Sequence, residues 1–336
     1  MAVDSAGGRR QIAARGDRRG EGRMPAPRKI IIDTDPGQDD AVAILLALAS
    51  PELELLGLTV VAGNVPLALT ARNARVVCEL AGRRDIPVHA GAAAPLARRL
   101  VTAEHVHGKS GLDGIALPEP EMPLASEDAA GFIVETLRRH PEGTVTLCPL
   151  GPLTNIAAAF RAAPDIVPRV AEIVLMGGGC FEGGNITPAA EFNIYVDPEA
   201  ADIVFRSGVP LTVMPLDVTH KALTSRAWVE EMRALGTPVG RAVASWTDFF
   251  ERFDTAKYGS EGAPLHDPCV IAYLLRPELF AGRHINVMIE TRGEFTLGMT
   301  VADWWRVSGR EPNAMFMGSV DREGFYGLLS ERLARL

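Results

Sequence analysis

The chain has 336 residues, 47% hydrophobic and 23% charged, with a formal net charge of −8 and a mean hydropathy of +0.09. That length accommodates one large α/β domain with a full core. The acidic balance gives no general attraction to nucleic acid or anionic membranes, and no apolar run reaches the roughly 18 residues of a membrane span.

Residues 1–28 hold seven arginines against three acidic groups and almost no large apolar side chains. Such a segment buries too little surface to offset its ordering entropy, so a disordered basic extension is expected. It lacks the apolar stretch of a secretory signal, and Met24 is a candidate alternative start. Next comes K-I-I-I-D-T-D-P-G-Q-D-D-A-V-A-I-L-L-A-L-A. It predicts a strand over Ile30–Asp35, a Pro-Gly break and a helix from Asp39 to Ala49. Asp33, Asp35, Asp39 and Asp40 thereby collect at the carboxyl end of a strand, where open α/β sheets bind ligands. One aspartate is explained as a helix cap. The others repel one another unless a cation or protons intervene. Carboxylate oxygens favour calcium or magnesium over zinc.

L-E-L-L-G-L-T-V-V-A-G-N predicts a second strand ending at Asn64, followed by a helix over Leu67–Ala81 and a short strand to Gly91. Residues 95–127 read as an irregular excursion containing H-V-H-G at 105–108, two histidines without a third metal ligand. Thr144–Leu150 is a buried strand running into G-P-L-T-N and a helix through Phe160, and Glu172–Gly179 is another strand. Its M-G-G-G-C-F-E-G-G-N lacks the spacing of a dinucleotide loop. In A-E-F-N-I-Y-V-D-P, an extended backbone would point Glu191 and Asn193 the same way, toward two sugar hydroxyls. A helix with Pro198 near its first turn and Gly208 after its end and a strand P-L-T-V-M-P-L-D-V-T follow, then a helical stretch over Ser225–Lys257. His266-Asp267-Pro268 adds a carboxylate and an imidazole before another helix. Ile285–Glu290, Met299–Ala302 and Ala314–Ser319 precede a final helix from Glu323. Apolar strands alternating with helices predict a single α/β domain over 29–336, a mostly parallel sheet with helices on both faces. Cys78, Cys148, Cys180 and Cys269 lie far apart without a C-x-x-C pair, the pattern of reduced thiols in a cytoplasmic protein.

Taken in order, D-T-D-P-G-Q-D-D-A-V-A, T-V-V-A-G-N, H-V-H-G-K-S-G, C-P-L-G-P-L-T-N-I-A, V-L-M-G-G-G, A-E-F-N-I-Y-V-D-P-E-A-A, H-D-P and L-G-M-T-V-A-D resemble the inosine-uridine-preferring nucleoside hydrolase family. The resemblance implies a calcium ion ligated by Asp35, Asp40, Asp267 and the main-chain oxygen of Leu150. Asp39, Asn64, Glu191 and Asn193 would hold the ribose, with Asn185 and Met176 nearby. Asp35 would be the general base for the attacking water and His266 the acid for the leaving base, with His107 also on the base side. The reaction would be N-glycosidic hydrolysis of ribonucleosides through an oxocarbenium-like transition state. It implies a homodimer or homotetramer acting on a small-molecule nucleoside, with no nucleic-acid or membrane partner. The chain departs from the family in W-T-D-F-F-E-R-F-D-T-A-K-Y-G. Phe250 and Asp254 stand where hydroxylated aromatics are expected, and Tyr258 is shifted in register. Two other readings remain open: a nucleoside-binding protein with weak or no turnover, and a haloacid-dehalogenase-type phosphatase suggested by D-T-D after a strand. Against the phosphatase, Pro-Gly-Gln-Asp-Asp follows directly.

Overall fold

The structure, a computed structural model, describes residues 26–258 and 262–336, without the side chains of 254–258. The expected basic extension therefore lies outside the described residues as far as residue 25. Strand β1 (Arg28–Thr34) begins ahead of Ile30, because the Arg28 N–H donates to the Glu52 carbonyl and its guanidinium pairs with Glu172. There follow α1 (Gln38–Leu48), β2 (Leu53–Val60), α2 (Leu67–Leu80), β3 (Val88–Ala90), the short α3 (Glu104–His107) and α4 (Ala129–Arg139). The middle of the chain forms β4 (Val145–Pro149), α5 (Thr154–Ala162), β5 (Val170–Met176), the short α6 (Phe192–Val196), α7 (Pro198–Phe205), β6 (Leu211–Met214) and the short α8 (Leu216–Thr219). Last come α9 (Arg226–Ala234), α10 (Pro238–Tyr258), α11 (Pro268–Leu275), β7 (Phe280–Ile285), β8 (Val287–Ile289), β9 (Thr300–Ala302), β10 (Ala314–Val320) and α12 (Arg322–Leu333).

Eight strands pair in the order β3-β2-β1-β4-β5-β6-β10-β7, all parallel except the β10–β7 edge, while β8 and β9 form a separate hairpin. The Ile30–Ile32 run shows why the sheet must be covered twice. Ile30 and Ile32 pack in the apolar cluster that includes α1, α2 and α11, whereas Ile31 packs with α4, α5 and α7 on the other face. All three are fully buried, each stabilising the fold by roughly 1.5–3 kcal/mol relative to exposure. The strand order reverses between β1 and β4, so their carboxyl ends open a crevice beneath the loops that follow them.

Several elements differ from the sequence-based expectation. β2 stops at Val60, and Val61–Asn64 turns over the end of β1. The helical stretch over 225–257 is divided into two helices. Gly236 takes φ +69° just past α9, a left-handed stop, and Pro238 opens α10, where its missing N–H costs nothing. Leu216–Thr219 is a helical turn rather than strand, released from the sheet after Pro215. The stretch expected at Ile285–Glu290 is divided between β7 and β8. β7 itself was not foreseen: F-A-G-R-H-I is exposed through its middle and carries no apolar alternation, being held by backbone pairing to β10.

Candidate active site

The chain leaves β1 through Asp35-Pro36-Gly37 and enters α1, whose first turn carries Asp39 and Asp40. Asp40 is fixed on both oxygens. Oδ1 accepts from Thr34 Oγ1 at 2.5 Å, and Oδ2 accepts from the Gly37 N–H at 2.9 Å and from Asn64 Nδ2 at 3.3 Å. Asn64 ties the neighbouring aspartate as well, its N–H donating to Asp35 Oδ2 at 2.7 Å and its Nδ2 to the Asp35 carbonyl at 3.1 Å. Asp35 is gripped by two glycines. A Cβ at Gly63 would fall 2.0 Å from Oδ2, and one at Gly151 would fall 2.1 Å from Oδ1. Its Oδ1 is buried with no hydrogen-bond partner.

Asp267, the residue before α11, reaches this turn from the far end of the chain because α11 packs on α1. Asp39, Asp40 and Asp267 each place a carboxylate oxygen within 4.8 Å of the others. The carboxyl of Asp39 is pushed up to about 7, by burial and then by the Asp40 charge. Asp35 and Asp267 are driven well above the carboxylate range, by burial first and then by Asp40 and Asp39 respectively. Such a group cannot be fully ionised without a compensating cation. The crowded oxygens and the orphaned Asp35 Oδ1 suit a hard divalent metal. Among the described residues, the trio whose oxygens meet in this way contains Asp39, which sequence reasoning assigned to ribose, and not Asp35.

The fourth aspartate of the motif is not part of this group. Asp33 Oδ1 accepts from Thr59 Oγ1 at 2.6 Å and from Asn155 Nδ2 at 2.8 Å, and burial raises its carboxyl to about 7. It braces β1 against β2 and α5, and the expectation of four carboxylates in one crevice is corrected to that extent.

The wall opposite the aspartates comes from the loops after β4 and β5. Asn193 Nδ2 donates to the Leu150 carbonyl at 2.6 Å, and to the carbonyl and Sδ of Met176 at 3.3 and 3.4 Å. The segment around it is not extended. Glu191 caps α6, its carboxylate accepting from the N–H groups of Asn193 and Ile194 and from Gly178. Three backbone donors outweigh the β-like pattern of the sequence and wind the chain into a helical turn. Burial lifts Glu191 to about 7. Asn185 Oδ1 accepts from the Phe192 N–H at 2.9 Å.

Asp39, Asn64, Leu150, Met176, Asn185, Glu191, Asn193 and Asp267 all line one cleft, together with His107, Phe250 and His266. Asp35 and Asp40 stand behind Asn64. The Phe250 ring lies 5.5 Å from His107 and 6.4 Å from His266. His266 Nδ1 is 2.7 Å from Thr219 Oγ1. Burial, then His220 and His107, hold this imidazole well below its ordinary pKa. Burial brings His107 down to about 3. The side chains of Asp254 and Tyr258, expected on the base side, lie outside the described residues. His105, Phe192, His220 and Phe253 also line the cleft and were given no site role from sequence. A signal existed for His220, which directly follows the helical turn leaving the carboxyl end of β6. Nothing comparable marked Phe253.

The inosine-uridine preferring nucleoside hydrolase family matches residues 30–327. The chain belongs to that family. It is thus an enzyme, an N-glycosyl hydrolase of nucleosides, as the motif series implied. It is 51% identical over 305 residues to the pyrimidine-specific ribonucleoside hydrolase RihA of Salmonella typhimurium, covering 90% of this chain and 97% of that one. An uncharacterised protein of Schizosaccharomyces pombe is 53% identical over 308 residues, 92% of this chain and 99% of the relative. Among solved structures, a purine-preferring ribonucleoside hydrolase from Gardnerella vaginalis superposes with a TM-score of 0.86 at 34% identity, covering 91% of this chain and 98% of that one. The hydrolase has no helix, among the described residues, long and apolar enough to cross a membrane.

Proposed function

We propose that this hydrolase cleaves pyrimidine ribonucleosides to ribose and free base, with a calcium ion held by Asp35, Asp40, Asp267 and the Leu150 carbonyl. The observation that carries the reading is the meeting of Asp267 with the aspartates of the first turn, in the cleft that Asn64, Glu191 and Asn193 also line. Asp35, Asp40, Asp267 and the Leu150 carbonyl would hold the calcium, which would supply Lewis-acid chemistry that lowers the pKa of the attacking water. Asp35, pinned by Asn64 and the two glycines with one oxygen unpartnered, takes the proton from that water as general base. Asp39, Asn64 and Asn193 hold the ribose hydroxyls. Glu191, immobilised by its three backbone donors, supplies negative potential where the sugar turns oxocarbenium-like. His266, kept neutral, offers its N–H to the departing base. The pyrimidine preference is supported by the relatives at 51% identity, which are named for it, against 34% for the purine-preferring neighbour. The same reading takes residues 29–336 as the catalytic domain of a cytoplasmic homo-oligomer, which light scattering of the purified chain addresses directly.

The test is ribose release from uridine, cytidine, inosine and adenosine by the purified full-length chain, with and without chelator. Chelator-sensitive cleavage, fastest for uridine or cytidine and restored by calcium better than by magnesium, is expected. If no ribosylated substrate is cleaved, the reading fails.

A further inference from the structure

Gln38, between the Pro-Gly break and the aspartates of α1, makes hydrogen bonds that the chemistry above does not use. Its Nε2 donates to the His107 carbonyl at 2.9 Å and to the Asp113 carbonyl at 3.1 Å. Both partners are main-chain carbonyls and can only accept, so the amide cannot be turned over. Its Oε1 therefore faces His107 Nδ1, at 2.6 Å. An amide oxygen only accepts, so Nδ1 must carry the hydrogen. The remaining nitrogen, Nε2, is left with its lone pair. The surroundings hold this arrangement in place. The ring lies against Gly37, where a Cβ would fall 2.4 Å from Nδ1 and 2.7 Å from Cε1. The Asp113 carbonyl is held by a tight turn, in which the Asp113 carboxylate accepts from Ser110 Oγ and from the N–H groups of Lys109 and Ser110. His107 is buried, and burial disfavours the imidazolium that would erase the distinction between its nitrogens.

We infer that Gln38 is a positioning residue that fixes His107 as the Nδ1–H tautomer, making His107 a hydrogen-bond acceptor for an N–H on the substrate's base rather than a proton donor to it. The inference rests on the reading that a nucleoside base occupies this end of the cleft, where His107 and Phe250 lie together. It selects bases that present an N–H toward His107, uracil through its ring N3–H and cytosine through its exocyclic amine. It also divides labour between the imidazoles: His107 recognises the base, and protonation on departure is left to the other end of the ring cluster.

Two measurements on the full-length protein test it. Long-range proton–nitrogen correlation spectra, with the His107 signal assigned by its loss in His107→Gln, should show a neutral ring with hydrogen on Nδ1 and a bare Nε2. A proton on Nε2, or an imidazolium near neutral pH, overturns the inference whether or not any substrate is cleaved. The second measurement compares uridine with p-nitrophenyl β-ribofuranoside, which has the sugar but no base N–H. In Gln38→Met, kcat/KM for uridine should fall about tenfold, the worth of one recognition hydrogen bond, with the nitrophenyl riboside unchanged to within about twofold. Equal losses on both substrates would place Gln38 in support of the aspartate turn, and no loss on either would leave it without a role; both overturn the inference. Failure of the unaltered protein to cleave either compound would overturn the hydrolase reading instead, and the tautomer measurement would still decide the other.

Discussion

The two groups of side chains lining the cleft, those proposed for the sugar and those proposed for the base, are built differently. The proposed sugar side is made of groups within a few positions of a strand terminus, Asp35 after β1, Asn64 after β2 and the Leu150 carbonyl after β4; Asn64 donates to Asp35 at 2.7 Å and to Asp40 at 3.3 Å, and Asn193 donates to the Leu150 carbonyl at 2.6 Å. The proposed base side is made of rings carried on helices and excursions, His107 on α3, Phe250 on α10 and His266 ahead of α11, with Phe250 5.5 Å from His107 and 6.4 Å from His266. A hydrogen-bonded lattice at strand ends tolerates little displacement. Rings on peripheral helices can be exchanged while the sheet is untouched. The first region suits a chemical step common to all substrates, and the second suits the choice among them.

That contrast can be broken by experiment. Asp35→Asn removes the proposed base and should lower kcat by about 100- to 10,000-fold on every nucleoside alike. A base-dependent loss in a substrate panel would contradict the division. Gly63→Ala leaves every polar group in place but sets a methyl against the Asp35 carboxylate. A displacement of that order should cost about 100-fold in kcat, with KM less affected. Calcium should raise the thermal midpoint of the parent by relieving the crowded carboxylates, and Asp267→Asn should abolish most of that rise in a calorimetric scan. Phe250→Tyr restores a hydroxylated ring beside His107 and His266, and should shift the ratio of inosine to uridine cleavage by less than about tenfold while leaving calcium binding unaltered.

The smallest effect expected is on stability. His107 ionises near 6.5 when unfolded but only near 3 when folded, because burial disfavours its charge. As pH falls through 6.5 toward 3, the unfolded chain takes up a proton that the folded chain refuses, so this residue's contribution to stability is lost across that window. The midpoint gap between the parent and His107→Gln should therefore shift in the variant's favour from pH 7.5 to 4.5. A gap independent of pH would contradict the buried neutral ring.

Much of the aspartate turn and its partners was legible in the residues. A β-branched run, a Pro-Gly break and clustered aspartates specify strand, turn and ligand-bearing helix by local rules, and H-D-P placed its proline at a first helical turn. What escaped was set by tertiary contacts. Glu191 and Asn193 read as strand, but the Glu191 carboxylate caps α6 through the Asn193 and Ile194 N–H groups and is anchored from the β5 loop by the Gly178 N–H. Asp33 looked like its neighbours until Thr59 and Asn155 claimed it from adjacent elements. Gln38 stood inside the aspartate motif without a role of its own, since its meaning lies in two carbonyls about 70 positions downstream, at His107 and Asp113.

Packing of α11 on α1 has a consequence for biosynthesis. Asp35, Asp39 and Asp40 emerge from the ribosome early, yet the carboxylate that completes their group arrives only with residue 267. A tethered nascent chain stalled before that point should neither capture the ion nor turn over substrate, so competence is conferred late in translation and at once.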